Sequence, residues 1–252
     1  FFPGGDIGRL AVFGTVNDLV VSGAEPMWIS LSLIIEEGLP VEVLDRILES
    51  VSQAATEAGA RVVTGDTKVV PRGAADGLFI NTTGVGRLLD PAPTGPQGLR
   101  PGDELIVSGP IGRHGIAILS ARERLGLTPP PETDCECLLN AVRGLRECGL
   151  LREAPARGVI AMRDATRGGV TSVLHEWAEA SSATLTIDEA SVPVSPDTRG
   201  AAELLGLDPL HIGNEGTMLI GVAGGSGRDA VAALRRSAVS KHAALIGQVV
   251  ER

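Results

Sequence analysis

Four short polar tracts stand inside apolar sequence, and each carries an acid: Asn17-Asp18, Gly65-Asp66-Thr67-Lys68, Asp164-Ala165-Thr166-Arg167-Gly168-Gly169 and Asn214-Glu215-Gly216. Taking an ionised carboxylate out of water is costly unless a cation or hydrogen-bond donors compensate, so four such places point to one shared polar site. Magnesium takes one or two carboxylates and keeps phosphate oxygens and waters, which makes Asp18, Asp66 and Asp164 candidate metal ligands in a pocket for a nucleoside triphosphate. Lys68, two residues from Asp66 with Thr67 between them, is suited to oppose charge developing on a transferred phosphoryl group. Arg167 offers phosphate a planar fork, and Gly168 and Gly169 lead into a helix whose unpaired amides and dipole favour an anion. Glu215, beside Asn214, reads as a metal ligand or as a base. Each tract also has a structural alternative: a helix-end acid or an internally hydrogen-bonded pair with Asn17, a turn with a surface ion pair, a glycine-rich loop with Asp164 as helix N-cap, and a plain turn before a strand.

A further glycine-rich turn, Gly109-Pro110-Ile111-Gly112-Arg113-His114-Gly115, offers Arg113 and His114 as phosphate or substrate contacts. No Gly-Lys-Ser/Thr closes it, so it is not a Walker P-loop. His175, His211 and His242 fall in no metal-ligand spacing and read as structural. Cys135, Cys137 and Cys148 are odd in number and crowded into one stretch, which argues against a disulfide framework and favours free thiols on or beside a helix over a metal site.

The elements that must position these groups alternate between the two periods. Asp6 is placed to cap a buried apolar helix over 7–22, closed by Gly23, and an amphipathic helix follows over 42–58. Strands are expected over 61–64 and 78–85, with Gly65 turning the chain after the first so that Asp66 and Lys68 project from its end. The stretch 91–102 holds four prolines and three glycines and reads as a linker, dividing the chain into a domain of residues 1–98 and one of residues 99–252. In the second half, strands over 104–108, 159–162, 184–187, 217–222 and 245–250 are interleaved with helices ending near 125 and spanning 135–148, 170–180, 197–205 and 227–237. Such alternation predicts an α/β (α+β) architecture of two domains with sheets covered by helices.

Composition narrows the function. Twenty-two basic against 31 acidic residues give a net charge of −9, with no basic cluster, and the six aromatics include no tyrosine. Nucleic acid is therefore not an expected partner. No apolar run reaches the length of a membrane span and no secretory signal is visible, so the expected compartment is the cytoplasm. Glycine, 33 of 252 residues, is about twice its usual ~7% share and concentrates at element ends.

In this order and spacing the tracts resemble the PurM-like ATP-binding superfamily, which includes aminoimidazole ribonucleotide (AIR) synthetase, selenophosphate synthetase and thiamine-monophosphate kinase. Phe2-Pro3-Gly4-Gly5-Asp6-Ile7-Gly8, Thr64-Gly65-Asp66-Thr67-Lys68-Val69-Val70, Arg72-Gly73-Ala74-Ala75-Asp76, Arg163-Asp164-Ala165-Thr166-Arg167-Gly168-Gly169-Val170 and Ala244-Leu245-Ile246-Gly247 look most like the HypE family of hydrogenase maturation factors. The resemblance implies an N-terminal domain that dimerises through its sheet, ATP with Mg²⁺ bound between subunits and domains, and HypF and the HypC–HypD complex as partners. It also implies a reaction, in which a carbamoyl group on a C-terminal cysteine is phosphorylated by ATP and then loses phosphate to leave a thiocyanate, the source of cyanide for [NiFe] hydrogenase. By residue it implies that Asp18, Asp66 and Asp164 bind metal or triphosphate, and that Lys68 and Glu215 handle phosphate charge or carbamoyl protons. The family's cysteine-bearing tail and the acidic stretch before Phe-Pro-Gly-Gly are not in this sequence, so a trimmed chain with an incomplete triphosphate site is expected. Other superfamily substrates and a non-catalytic maturation scaffold are the competing expectations; the run Ala165-Thr166-Arg167-Gly168-Gly169 speaks against a selenophosphate synthetase.

Overall fold

The computed structural model describes residues 1–151 and 158–251. The chain opens with a tight turn in which Phe2 and Gly5 exchange two backbone hydrogen bonds of 3.0 Å. Asp6 then caps helix α1 (Ile7–Val21), its Oδ1 accepting from the amides of Gly8 at 2.7 Å and Arg9 at 3.1 Å. Its Oδ2 accepts a 2.7 Å bond from the hydroxyl of Ser50 on helix α2 (Val41–Glu57), so one carboxylate starts the first helix and ties it to the second.

Between these helices runs strand β1 (Ala24–Glu36), which is not among the strands expected from sequence. Ile29, Leu31 and Leu33 alternate inward along it, against Ser30 and Ser32. Strand β2 (Arg61–Val70) pairs with β1 in parallel and strand β3 (Leu78–Leu88) pairs with it antiparallel, giving the order β2-β1-β3. Helix α1 lies on one face of this sheet, where the Thr82 hydroxyl donates to the Ala11 carbonyl at 2.9 Å and meets the Thr15 hydroxyl at 2.6 Å.

The tract at 65–68 lies within β2 and is not a turn after a strand ending at 64. The glycine has a different cause: a Cβ at position 65 would stand 1.8 Å from the Leu31 carbonyl oxygen. Here the two backbones approach too closely for any side chain. Asp66, Thr67 and Lys68 are all exposed along this edge strand. Asp66 is registered with Ser32 and Lys68 with Ile34, and paired residues share a face, so both point away from α1.

A second sheet is antiparallel throughout, formed by β4 (Glu104–Val107), β5 (Val159–Asp164), β6 (Thr184–Ile187), β7 (Met218–Val222) and β8 (Ala244–Val250) in the order β5-β7-β4-β8-β6. Helices α3 (Arg113–Glu123), α4 (Leu139–Glu147), α5 (Gly169–Ser181), α6 (Pro196–Leu205) and α7 (Gly227–Leu234) surround it. Ile106, Met218, Ile220 and Val222 join one apolar cluster that runs through Leu138 and Leu145 to Phe13 and Val16 of α1. Leu105, Val107, Leu219 and Ile246 form another with Val173 and Trp177 of α5. Helix α1 therefore belongs to a core continuous with the second sheet, and this fixes its C-terminal half beside the end of β5.

The helix expected from 135 begins only at Leu139, because the preceding segment is held by one local and one distant side chain. Cys135 donates its amide to Thr133 Oγ1 at 3.1 Å, and Leu138 donates its amide to Asn17 Oδ1 at 2.9 Å. Cys135 is buried, Cys137 half-buried and Cys148 exposed, all as free thiols. Among the described residues no helix is long and apolar enough to cross a membrane.

Candidate functional site

Strand β5 ends on Asp164, and the next helix begins at Gly169 after a turn in which Gly168 (φ 73°) and Gly169 (φ 63°) are both left-handed. A side chain on Gly169 would strike the carbonyl oxygens of Leu210 and Ile212, at 2.5 and 2.7 Å from its Cβ, so the turn closes against the 210–212 backbone. Around it lies a pocket of about 370 Å³ lined by Gly14, Asp18, His114, Asp164, Thr166, Arg167, Gly168, Gly213 and Glu215. Six residues singled out from four tracts, Asp18, His114, Asp164, Arg167, Gly168 and Glu215, thus meet in one place.

Their charges are unbalanced. Burial raises the Asp164 carboxyl above the usual range, and Asp18 raises it further. Asp18 is also raised by partial burial, against the opposing pull of Arg163, although its side chain reaches solvent at the pocket mouth. It does not stand in the closed apolar setting expected from its flanking sequence. Burial pushes Glu215 up to about 8, helped by Asp134, Asp164 and Asp18. His114 is lowered by burial, partly opposed by Asp134, and its Nε2 lies 4.0 Å from Glu215 Oε1. The nearest cation to Asp164 is Arg163, at 4.0 Å, and it is also held by Glu176 at 3.1 Å.

Two neighbouring carboxyls, both raised by burial and Asp164 further by Asp18, beside a glycine turn fit a divalent cation with phosphate, since Mg²⁺ fills the rest of its shell from phosphate and water. They do not make an all-protein metal site: among the described residues no group of three or more His, Cys, Asp or Glu side chains could hold a metal ion.

Other candidates stand elsewhere. Asn17 is fully buried, donating to the carbonyls of Glu215 at 2.8 Å and Glu136 at 3.0 Å. Asn214 accepts from the Gly112 amide at 2.7 Å and donates to the Ala165 and Ile212 carbonyls at 2.8 and 3.1 Å. Both amides are committed to backbone, so they build the pocket's walls and are not free to contact a ligand. Arg113 turns away to the Thr133 carbonyl at 3.2 Å. Asp66, Thr67 and Lys68 do not line this pocket.

Two contributors were not read from sequence. Asp134 is buried and accepts from the amides of Glu215 and Gly216 and from the Thr217 hydroxyl, at 3.1, 3.2 and 2.8 Å, shaping the turn that presents Glu215. Thr133 meets His114 Nδ1 at 2.8 Å. Neither sits in a recognisable motif; the partners of Asp134 lie 81 to 83 residues away, and His114 lies 19 residues from Thr133.

The AIR synthase related protein N-terminal domain family matches residues 1–88, and the corresponding C-terminal domain family matches residues 100–252. Carbamoyl dehydratase HypE of Escherichia coli is 48% identical over 252 residues, covering 100% of this chain and 73% of the relative. A crystal structure of E. coli HypE superposes with a TM-score of 0.94 at 49% identity, covering 100% of this chain and 76% of that one. A HypE structure in complex with ATP (TM-score 0.92, 45% identity, 100% and 73% covered) and a HypE–HypF complex (0.94, 41%, 100% and 80%) are similarly close.

Proposed function

Since the chain belongs to the HypE carbamoyl dehydratase family of AIR synthase related proteins, we propose that its Asp18–Asp164–Glu215 pocket carries out ATP-dependent dehydration of a thiol-bound carbamoyl group. The observation that carries this reading is the convergence of three raised carboxyls on one glycine-lined helix start.

Binding follows from the chain's own groups. Amides at the start of α5, with Arg167, receive the triphosphate, and Asp18 and Asp164 would hold Mg²⁺. The ion, when bound, supplies neutralisation of the phosphate charge. The carbamoyl oxygen attacks the γ-phosphorus, forming a C–O–P linkage and releasing ADP as one N–H proton leaves. Breaking the C–O bond then expels inorganic phosphate while the second N–H proton leaves, giving S–C≡N. Glu215 is the acceptor for these protons: it is enclosed, and its raised basicity suits proton transfer near neutral pH.

Asp66 and Lys68 enter this scheme through a second copy. The sheet face that carries them also exposes Trp28, Ile34, Phe79 and Val85, an apolar surface suited to pairing with its own like. We assign the domain boundary to the proline-rich stretch after β3, at residues 98/99. A HypF-type carbamoyl donor and a HypC–HypD-type cyanide acceptor, meeting the enzyme in the cytoplasm, complete the proposal.

The test is mass spectrometry of the carbamoylated cysteine peptide, in a chain carrying the family's cysteine-bearing tail, after incubation with ATP. Loss of the mass of one water, dependent on ATP and abolished in Asp164→Ala, is expected. Equal mass loss in Asp164→Ala would overturn the reading.

A further inference from the structure

We infer that Thr133, gripped by the turn at residues 2–5, is a positioning residue that fixes the tautomer of His114 so that the neutral ring presents an N–H toward Glu215. The inference adds a residue to the site described above and rests on that functional reading only for its effect on catalysis.

A threonine hydroxyl has one proton to give and two lone pairs to accept with. Thr133 is 5% exposed, and its Oγ1 already accepts the amide of Cys135 at 3.1 Å. Among the described residues, its one other partner is Nδ1 of His114, at 2.8 Å. Were Nδ1 protonated, the hydroxyl would accept twice and its own buried proton would have no acceptor, an arrangement that costs the full desolvation of a donor. The satisfied arrangement has the hydroxyl donating to Nδ1. The ring proton then sits on Nε2, the nitrogen 4.0 Å from Glu215 Oε1.

The position of Thr133 is set by the Phe-Pro-Gly-Gly tract, for which the functional reading above gives no role. The Thr133 amide donates to the Pro3 carbonyl at 3.1 Å. Gly4 (φ +83°) and Gly5 lie against its methyl group, close enough that a Cβ on either would fall 3.2 or 3.4 Å from Cγ2. Phe2 meets the His114 ring edge-on, with centroids 5.8 Å apart and planes at 87°. One short turn thus holds both members of the pair, across more than a hundred residues of sequence. Neutral His114 then acts as a hydrogen-bond donor to a carboxylate or phosphate oxygen in the pocket and does not serve as its base.

The test is ring ¹⁵N NMR of histidine-labelled full chain, with the His114 signals identified by their loss in His114→Asn. A pyridine-type Nδ1 and a pyrrole-type Nε2 are expected in the native chain and in Thr133→Ser, and a mixed or reversed pattern in Thr133→Val. In dehydration assays with a carbamoyl-transferring partner, Thr133→Val is expected to lower kcat about 10–100-fold, the scale on which removing the hydrogen-bond partner of a metal-ligating histidine acts, with little change in KM for ATP. Thr133→Ser should restore most of the rate. A pyrrole-type Nδ1 in the native chain overturns the assignment, as does native kcat in Thr133→Val. Should the native chain fail to dehydrate while the expected tautomer is observed, the tautomer stands and the functional reading falls.

Discussion

Glu215 is the side chain whose chemistry changes most between the open chain and the folded pocket. Its acid is raised from an ordinary 4.5 to about 8. The folded state therefore holds a proton that the unfolded state has released, so this group favours folding below about pH 4.5, and the advantage is lost as pH climbs through 8. Glu215→Gln should remove that loss, leaving the nucleotide-free variant more stable than the native chain above pH 8, by on the order of a few kcal/mol, and little changed near pH 4. Thermal melts across pH would check it; parallel curves for the two proteins would count against the buried-acid reading. Catalysis runs the other way, because a proton acceptor must be ionised, so the native rate should rise toward pH 8 as the variant stays flat and low. Of the site's residues, Asp164 and Arg167 were legible in sequence because a strand-end acid followed by Gly-Gly leaves few other readings. Asp134 and Thr133 were not, since each acts on groups 80 or so residues distant, or on a ring whose protonation no motif encodes.

At the scale of elements, the sequence misleads where one residue type serves two purposes. Gly65 carries the same signal as a turn glycine, yet it sits mid-strand because the Leu31 carbonyl occupies the space a Cβ would need. Gly65→Ala should therefore cost about 1–3 kcal/mol, the scale of an overpacked core, although its neighbours are exposed. Urea unfolding would measure it, and a midpoint unchanged from native would show that β2 accommodates a side chain there. Strand β1 escaped notice for a related reason: its inward Ile29, Leu31 and Leu33 alternate with serines, but Pro26 near its start reads as a breaker. Elements with clear end signals or a clear alternation were recovered closely, as with α1, whose Asp6 cap and Gly23 stop bracket it, and β6, found at residues 184–187. Helix α4 starts later than its pattern because Asn17 captures the Leu138 amide at the end of an irregular segment.

At the scale of the whole molecule, the three-stranded sheet separates two halves of the candidate site. Asp18 rides on the helix against one face, whereas Asp66 and Lys68 look out from the other. If a second copy closes the site, Lys68→Ala and Asp164→Ala should each be inactive alone, yet regain roughly a quarter of native activity when mixed and allowed to exchange, since one site of each mixed dimer keeps both groups. No recovery, with mixed dimers verified by mass, would place Lys68 outside the reaction. On that arrangement the folded single chain is silent. An enzyme that consumes ATP carries a hazard in idle hydrolysis, and a polypeptide whose required lysine faces away from its own candidate phosphate turn would burn no nucleotide until it had met its like. Abundance, set by how much of the chain a cell makes, would then govern when the chemistry switches on.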